Sequence, residues 1–120
     1  MPIFKSGDVV KVPFPYTDRP IRQHRPAVVV AAGPIEADYG LLWVLMITSA
    51  ENRRWHDDVA ISDLGRAGLP APSVIRCAKI ATIEAHDAEC IGVIPLGIRK
   101  KVSMHIKRIL ALVGTDISSD

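Results

Sequence analysis

Gly7-Asp8-Val9-Val10-Lys11-Val12-Pro13-Phe14-Pro15-Tyr16-Thr17-Asp18, followed by Arg19-Pro20-Ile21-Arg22-Gln23-His24 and then Arg25-Pro26-Ala27-Val28-Val29-Val30, is the stretch around which the chain is organised. Residues 8–14 form a β-branched, partly alternating run, and residues 26–32 a continuous apolar one; both are strand signals. Pro13 and Pro15 lack an amide donor, so the first strand ends there or lies at an edge. Between the runs sits a polar loop carrying Arg19, Arg22, His24 and Arg25, too basic and proline-punctuated to be buried. Two rigid strands holding a cationic loop are suited to presenting an arginine to a phosphate.

Working outward, residues 33–40 read as a turn-rich loop. Residues 41–48 are nearly all apolar and predict a strand buried on both faces. A polar loop follows at 50–58, with Arg53, Arg54, Trp55 and His56. A short strand is expected at 59–61, then a capped turn with Ser62 as N-cap. Leu69-Pro70-Ala71-Pro72 is held extended, because each proline drives its predecessor out of the helical region. Strands are expected at 73–76 and 79–84 with a bend between them, a turn at 86–89, and a last strand at 90–94. Ile98, Val102, Ile106, Ile109 and Val113 recur at spacings of three and four, which predicts a helix over 96–112. Gly114 is its expected stop and 115–120 a frayed tail. The run Arg99-Lys100-Lys101 reads most simply as a solvated helix face.

The whole of 1–120 suits one domain, with 113–120 as a flexible tail. Hydrophobic residues make up 48% and aromatic ones 5%, so the core is aliphatic. A mean hydropathy of +0.20 implies surplus apolar surface and hence an oligomer interface. No apolar run approaches the roughly 18 residues that span a bilayer, and the N-terminus lacks a signal-peptide core. A cytoplasmic location without membrane contact is expected. Cys77 and Cys90 are not a Cys-x-x-Cys pair, and the cytosolic setting argues against a disulfide, so they read as two small buried or half-buried thiols. A net charge of +2 does not by itself announce nucleic-acid binding, so a local basic patch must supply it. No two histidines or carboxylates have helical ligand spacing, and Asp57 and Asp58 are adjacent, so in a strand they point apart. Neither metal nor cofactor is expected.

Many short strands followed by one late helix predict a mainly β fold, a small curved antiparallel barrel with a C-terminal α-helix. Gly7-Asp8-Val9-Val10, Pro13-Phe14-Pro15-Tyr16-Thr17-Asp18 and Arg25-Pro26-Ala27-Val28-Val29 resemble the opening of PemK/MazF-type toxins of type II toxin–antitoxin systems. Met46-Ile47-Thr48-Ser49, the segment from Ala67 to Arg76, Lys79-Ile80-Ala81-Thr82-Ile83 and Ile91-Gly92 fit the same family in order. The resemblance covers residues 5 to 112. It implies the SH3-like barrel that the family shares with CcdB. It also implies a homodimer, neutralisation by a cognate antitoxin, and metal-independent, sequence-selective cleavage of single-stranded RNA through the ribose 2′-hydroxyl.

Such a reaction needs a proton acceptor at the 2′-oxygen, a donor at the 5′-oxygen, and hydrogen bonds aimed at the charge on phosphorus. The family's principal pair maps onto Arg25 and Thr48. Arg25 suits a bidentate phosphate clamp, but a guanidinium keeps its proton and is a poor base. Thr48 offers one hydroxyl, to a phosphoryl oxygen or to the nucleophile. Arg19, Arg22, His24, Ser49, Arg53, Trp55, His56 and Arg76 are the expected RNA-binding residues: cations for phosphates, Trp55 for stacking on a base, His24 and His56 for proton transfer near neutral pH. Alone, each also reads as an ordinary surface residue. Where relatives carry a Ser-Glu-Gln-like segment before the arginine, this loop has no glutamate, so that acid–base role has no holder.

Two other functions fit the same barrel. A CcdB-like gyrase poison uses a tryptophan-containing C-terminal tail, whereas this chain ends Gly-Thr-Asp-Ile-Ser-Ser-Asp. A catalytically inactive binding relative would keep the fold without cleavage.

Overall fold

The valine-rich runs form neighbouring strands in the computed structural model, which describes residues 3–13 and 24–118, with side chains to residue 112. The elements are β1 (Asp8–Pro13), β2 (His24–Ala31), α1 (Pro34–Tyr39), β3 (Leu41–Ser49), β4 (Asp58–Ala60), α2 (Leu64–Ala67), β5 (Ser73–Glu84), a 3-10 turn (Ala85–Asp87), β6 (Glu89–Val93) and α3 (Leu96–Ser118). The strands make one six-stranded antiparallel sheet in the order β4-β5-β3-β2-β1-β6. The fold is mainly β with a C-terminal helix, as the sequence predicts.

Strand alternation buries both faces of the sheet, because successive side chains point to opposite sides. On one face Val9, Val28, Leu45, Ile47, Val59 and Ile75 pack with Ala67 of α2 and with Ile98 and Val102 of α3. On the other, Val10, Val12, Ala27, Val29, Leu42, Val44 and Met46 pack with Phe4, Ala81 and Ile83. Val9, Val10, Val12, Leu42, Leu45 and Ile75 are fully enclosed. At roughly 25 cal/mol per Å² of apolar surface, each buried aliphatic side chain contributes about 1.5–3 kcal/mol. The α3 stripe behaves as its spacing predicts over Ile98, Val102, Ile106 and Ile109, while Arg99, Lys100 and Lys101 stay exposed. Val113 lies beyond the described side chains.

Several local expectations change. Residues 34–39 are helical rather than a loop. Pro34 sits in the first turn, where a missing N–H costs nothing, and Gly40 closes the helix at φ 67°. The carboxylate of Glu36, buried on α1, accepts the backbone N–H groups of Ile3 and Phe4 at 3.0–3.1 Å, fixing the N-terminal segment. The cap of α2 is Asp63, not Ser62; its Oδ1 accepts the Arg66 N–H at 3.1 Å. The short strand is Asp58–Ala60, one residue earlier than expected. The bend near 77–78 is a bulge within one strand: Leu45 faces Ile80 while Met46 faces Arg76, so three residues of β5 slip past β3. Cys77 lies two residues beyond Ile75 and shares its buried face, and burial raises its thiol to about 11. Cys90 is exposed and both thiols are free. Finally, α3 does not stop at Gly114 but runs to Ser118. Among the described residues no helix is long and apolar enough to cross a membrane.

Candidate active site

Arg25 enters β2 at its second residue, beside Pro26, which sets where the strand begins. Its neighbour across β1 is Val12. On the other side the ladder pairs Ala27 with Met46; continuing that register by two residues brings Arg25 opposite Thr48. Thr48 in turn faces Val74 of β5. Two residues 23 positions apart thus meet because β2 and β3 are antiparallel neighbours, and side chains two apart share a face.

Both line an open groove of about 780 Å³. Its polar edge is Lys11, Arg25, Thr48, Ser49, Asn52 and Ser73; its apolar wall is Leu64, Leu69, Pro70, Ala71, Pro72 and Ile91. The wall's position follows from a close approach between α2 and β6. Gly68 caps α2 at φ 72°, and a Cβ there would fall 2.1 Å from the Ile91 carbonyl oxygen. A Cβ on Gly92 would fall 2.4 Å from the Ala67 carbonyl carbon. Two glycines therefore let the backbones touch and carry the extended Leu69–Pro72 stretch against the end of β3. Among the described residues, the groove lining holds cations and hydroxyls but no histidine or carboxylate. It can bind a phosphate and donate hydrogen bonds to it.

The hydroxyl of Thr48 has a defined partner. Asn52 Nδ2 donates to Thr48 Oγ1 at 2.5 Å, and the Asn52 N–H donates to the Ser49 carbonyl at 3.1 Å, closing a turn beyond β3. Ser49 Oγ accepts the Glu51 N–H at 3.2 Å. Sequence reasoning missed Lys11 and Asn52. Lys11 was legible only as one strand residue among others, and Asn52 only as a member of a polar loop.

The other expected RNA contacts separate into groups. Arg19 and Arg22 lie outside the described residues. His24 is exposed at the start of β2, opposite Pro13. Arg53, Trp55 and His56 are exposed on the β3–β4 loop and are not part of the groove lining. Arg76 has partners of its own within the protein. Its guanidinium, with the side chain only 11% exposed, faces the Asp58 carboxylate at 3.3 Å, an ion pair without hydrogen-bond alignment at that atom pair. It also donates to the Arg53 carbonyl and lies 4.1 Å over the Trp55 ring. A guanidinium engaged in this way ties the loop to β5. Trp55 is 41% exposed.

Asp57 and Asp58 do point to different elements. Asp58 Oδ2 accepts the Trp55 N–H at 2.9 Å. Asp57 turns to α3, where Arg108 grips it at 2.6 and 2.7 Å and His105 Nδ1 lies at 2.9 Å. The hydrogen bonds from Arg108, then His105, lower its pKa from the usual 3.8 to about 2. The β4 end of the loop is thereby clamped to the helix through Asp57 and to β5 through Asp58.

A family model described as PemK-like, MazF-like toxin of type II toxin–antitoxin system matches residues 5–110. None of the curated proteins compared with the chain matches it. Among solved structures, MazF from Deinococcus radiodurans superposes with a TM-score of 0.73 at 18% identity, covering 91% of this chain and 97% of that one. Mycobacterium tuberculosis toxin MazF-mt6 gives 0.68 at 18%, covering 87% and 96%. An endoribonuclease in complex with its cognate antitoxin, from a mycobacterial species, gives 0.70 at 15%, covering 89% and 94%. At these identities the structures establish a shared fold.

Proposed function

The chain belongs to the PemK-like, MazF-like toxins of type II toxin–antitoxin systems, and from that premise we propose that it cleaves single-stranded RNA at the groove between Arg25 and the Leu69–Pro72 wall. The observation that carries the reading is the meeting of Arg25 and Thr48 on facing strands at one open groove. The ribose 2′-oxygen attacks the adjacent phosphorus while the bond from phosphorus to the 5′-oxygen breaks. The products are a 2′,3′-cyclic phosphate and a free 5′-hydroxyl, and the proton lost by the 2′-oxygen is balanced by the one gained at the 5′-oxygen. Negative charge builds on the non-bridging oxygens. Arg25 supplies two parallel N–H donors to them, and Thr48 a third from the opposite strand. Lys11, exposed on β1 across from Pro26, adds charge at the same end of the groove. The apolar wall suits the faces of the flanking bases, while Trp55 extends the track beyond it.

In this reading the RNA lies across a homodimer, and a cognate antitoxin with acidic and apolar stretches neutralises the toxin by covering the groove. Incubation of purified protein with a long unstructured RNA in EDTA tests it. Discrete fragments bearing 2′,3′-cyclic phosphate and 5′-hydroxyl ends are expected. Intact RNA from a folded protein that still arrests growth would favour a non-nucleolytic toxin of the CcdB kind. Intact RNA without growth arrest would favour an inactive relative.

A further inference from the structure

We propose that Asn52 is a positioning residue for Thr48, setting which way the threonine hydroxyl donates; the inference rests on the ribonuclease reading above. A threonine hydroxyl carries one proton and two lone pairs, and rotates freely about Cβ–Oγ unless something selects a rotor. Asn52 Nδ2 approaches Thr48 Oγ1 as a donor, so it occupies a lone pair and turns the hydroxyl proton away from the amide. Thr48 and Asn52 both border the groove. With the amide on one side of Thr48 Oγ1, the hydroxyl proton is left to point elsewhere, and the groove that Thr48 borders is also lined by Arg25. A phosphate between the two strands then receives donors from both. Without Asn52 the hydroxyl samples its other rotors, including those that accept rather than donate.

The residue is held for this role by its own backbone. Its N–H closes the turn onto the Ser49 carbonyl at 3.1 Å, so the asparagine leaves β3 and folds back four residues later over the strand's end. The turn does not depend on the side-chain amide, and Asn52 is exposed. Truncating it is therefore expected to leave the fold intact.

Asn52 is the one asparagine in the chain, so labelling asparagine with nitrogen-15 gives a single side-chain amide pair whose shift reports the contact without any RNA. That shift is expected to move on Thr48→Ala. In single-turnover cleavage, Asn52→Ala is expected to lower the maximal rate about tenfold, the upper range for one hydrogen bond, with the half-saturating concentration within about twofold. Asn52→Asp, whose carboxylate accepts the Thr48 proton and reverses the bond, is expected to be at least as slow. In a Thr48→Ala background, Asn52→Ala is expected to add no further loss, because it acts through that hydroxyl. An unmoved amide shift, additive losses, or an effect confined to half-saturation would each overturn the proposal. A parent protein that cleaves no RNA although the amide shift moves would sink the ribonuclease reading and the positioning role, while leaving the contact itself in place.

Discussion

Gly92→Ala should destabilise this protein, and Gly97→Ala, five residues on, should not. A methyl on Gly92 would stand 2.4 Å from the Ala67 carbonyl carbon and 2.5 Å from the carbonyl oxygens of Arg66 and Ala67. Non-bonded carbons settle at about 3.5–4.0 Å, so α2 must retreat by about 1 Å. The obstacle is backbone, so no rotamer change relieves it. Overpacking of this kind costs about 1–3 kcal/mol. For a chain of this size that is roughly 4–12 °C in melting temperature. A methyl on Gly97, in the first turn of α3, meets nothing within 4 Å. Replacing a helical glycine by alanine gains about 0.5–1 kcal/mol, so its melting temperature should rise by about 2–4 °C. Differential scanning calorimetry on the two variants decides it. If Gly92→Ala melts within about 1 °C of the parent, the backbones of α2 and β6 do not approach as described. The groove wall that depends on that approach would then be wrongly placed.

Two further predictions concern the β3–β4 loop. The lowered pKa of Asp57 means that its clamp stabilises the fold fully above the ordinary carboxylate value of 3.8 and is lost as pH falls through about 2. Urea midpoints should therefore drop between about pH 4 and pH 2, and Asp57→Asn should remove that part of the dependence; an unchanged acid limb in the variant would show that the clamp contributes nothing. Arg76→Ala should leave the Asp58 carboxylate buried without its cation, at a cost of about 3 kcal/mol, and should red-shift Trp55 emission as the covering guanidinium goes. A fluorescence and denaturation profile like the parent's would return Arg76 to the pool of free cations.

Much of the fold was legible because β-branched runs and the three–four spacing on α3 report burial directly. The first helix was misread because Gly33, Pro34 and Gly40 are turn residues in isolation, yet proline inside a start and glycine past an end also bracket a helix. What tipped the balance was Glu36, whose partners are backbone amides some thirty residues earlier. Arg25 and Thr48 were singled out through the resemblance, and both line one groove at the end of β2 and β3 where that register, continued, brings them side by side. Asn52 and Lys11 had no signal of their own, since their relevance comes from what lies across the groove. Arg76 shows the opposite limit. A sequence displays a cation but not the buried carboxylate that already engages it, and Asp58 is 18 residues away.

The central claim is that Arg25 stabilises charge on a phosphate undergoing cleavage. Single-turnover cleavage of one RNA by the parent, Arg25→Lys and Arg25→Ala, in EDTA and with melting temperatures measured alongside, tests it most directly. A donor aimed at transition-state charge is worth roughly 3–4 kcal/mol, or about 100- to 1000-fold in rate. Arg25→Ala should lose that much, with its melting temperature nearly unchanged because the side chain is exposed. Arg25→Lys should recover only part, since an ammonium keeps the charge but not the planar fork. If folded Arg25→Ala cuts within about threefold of the parent, Arg25 does not stabilise the transition state, and the proposed mechanism fails.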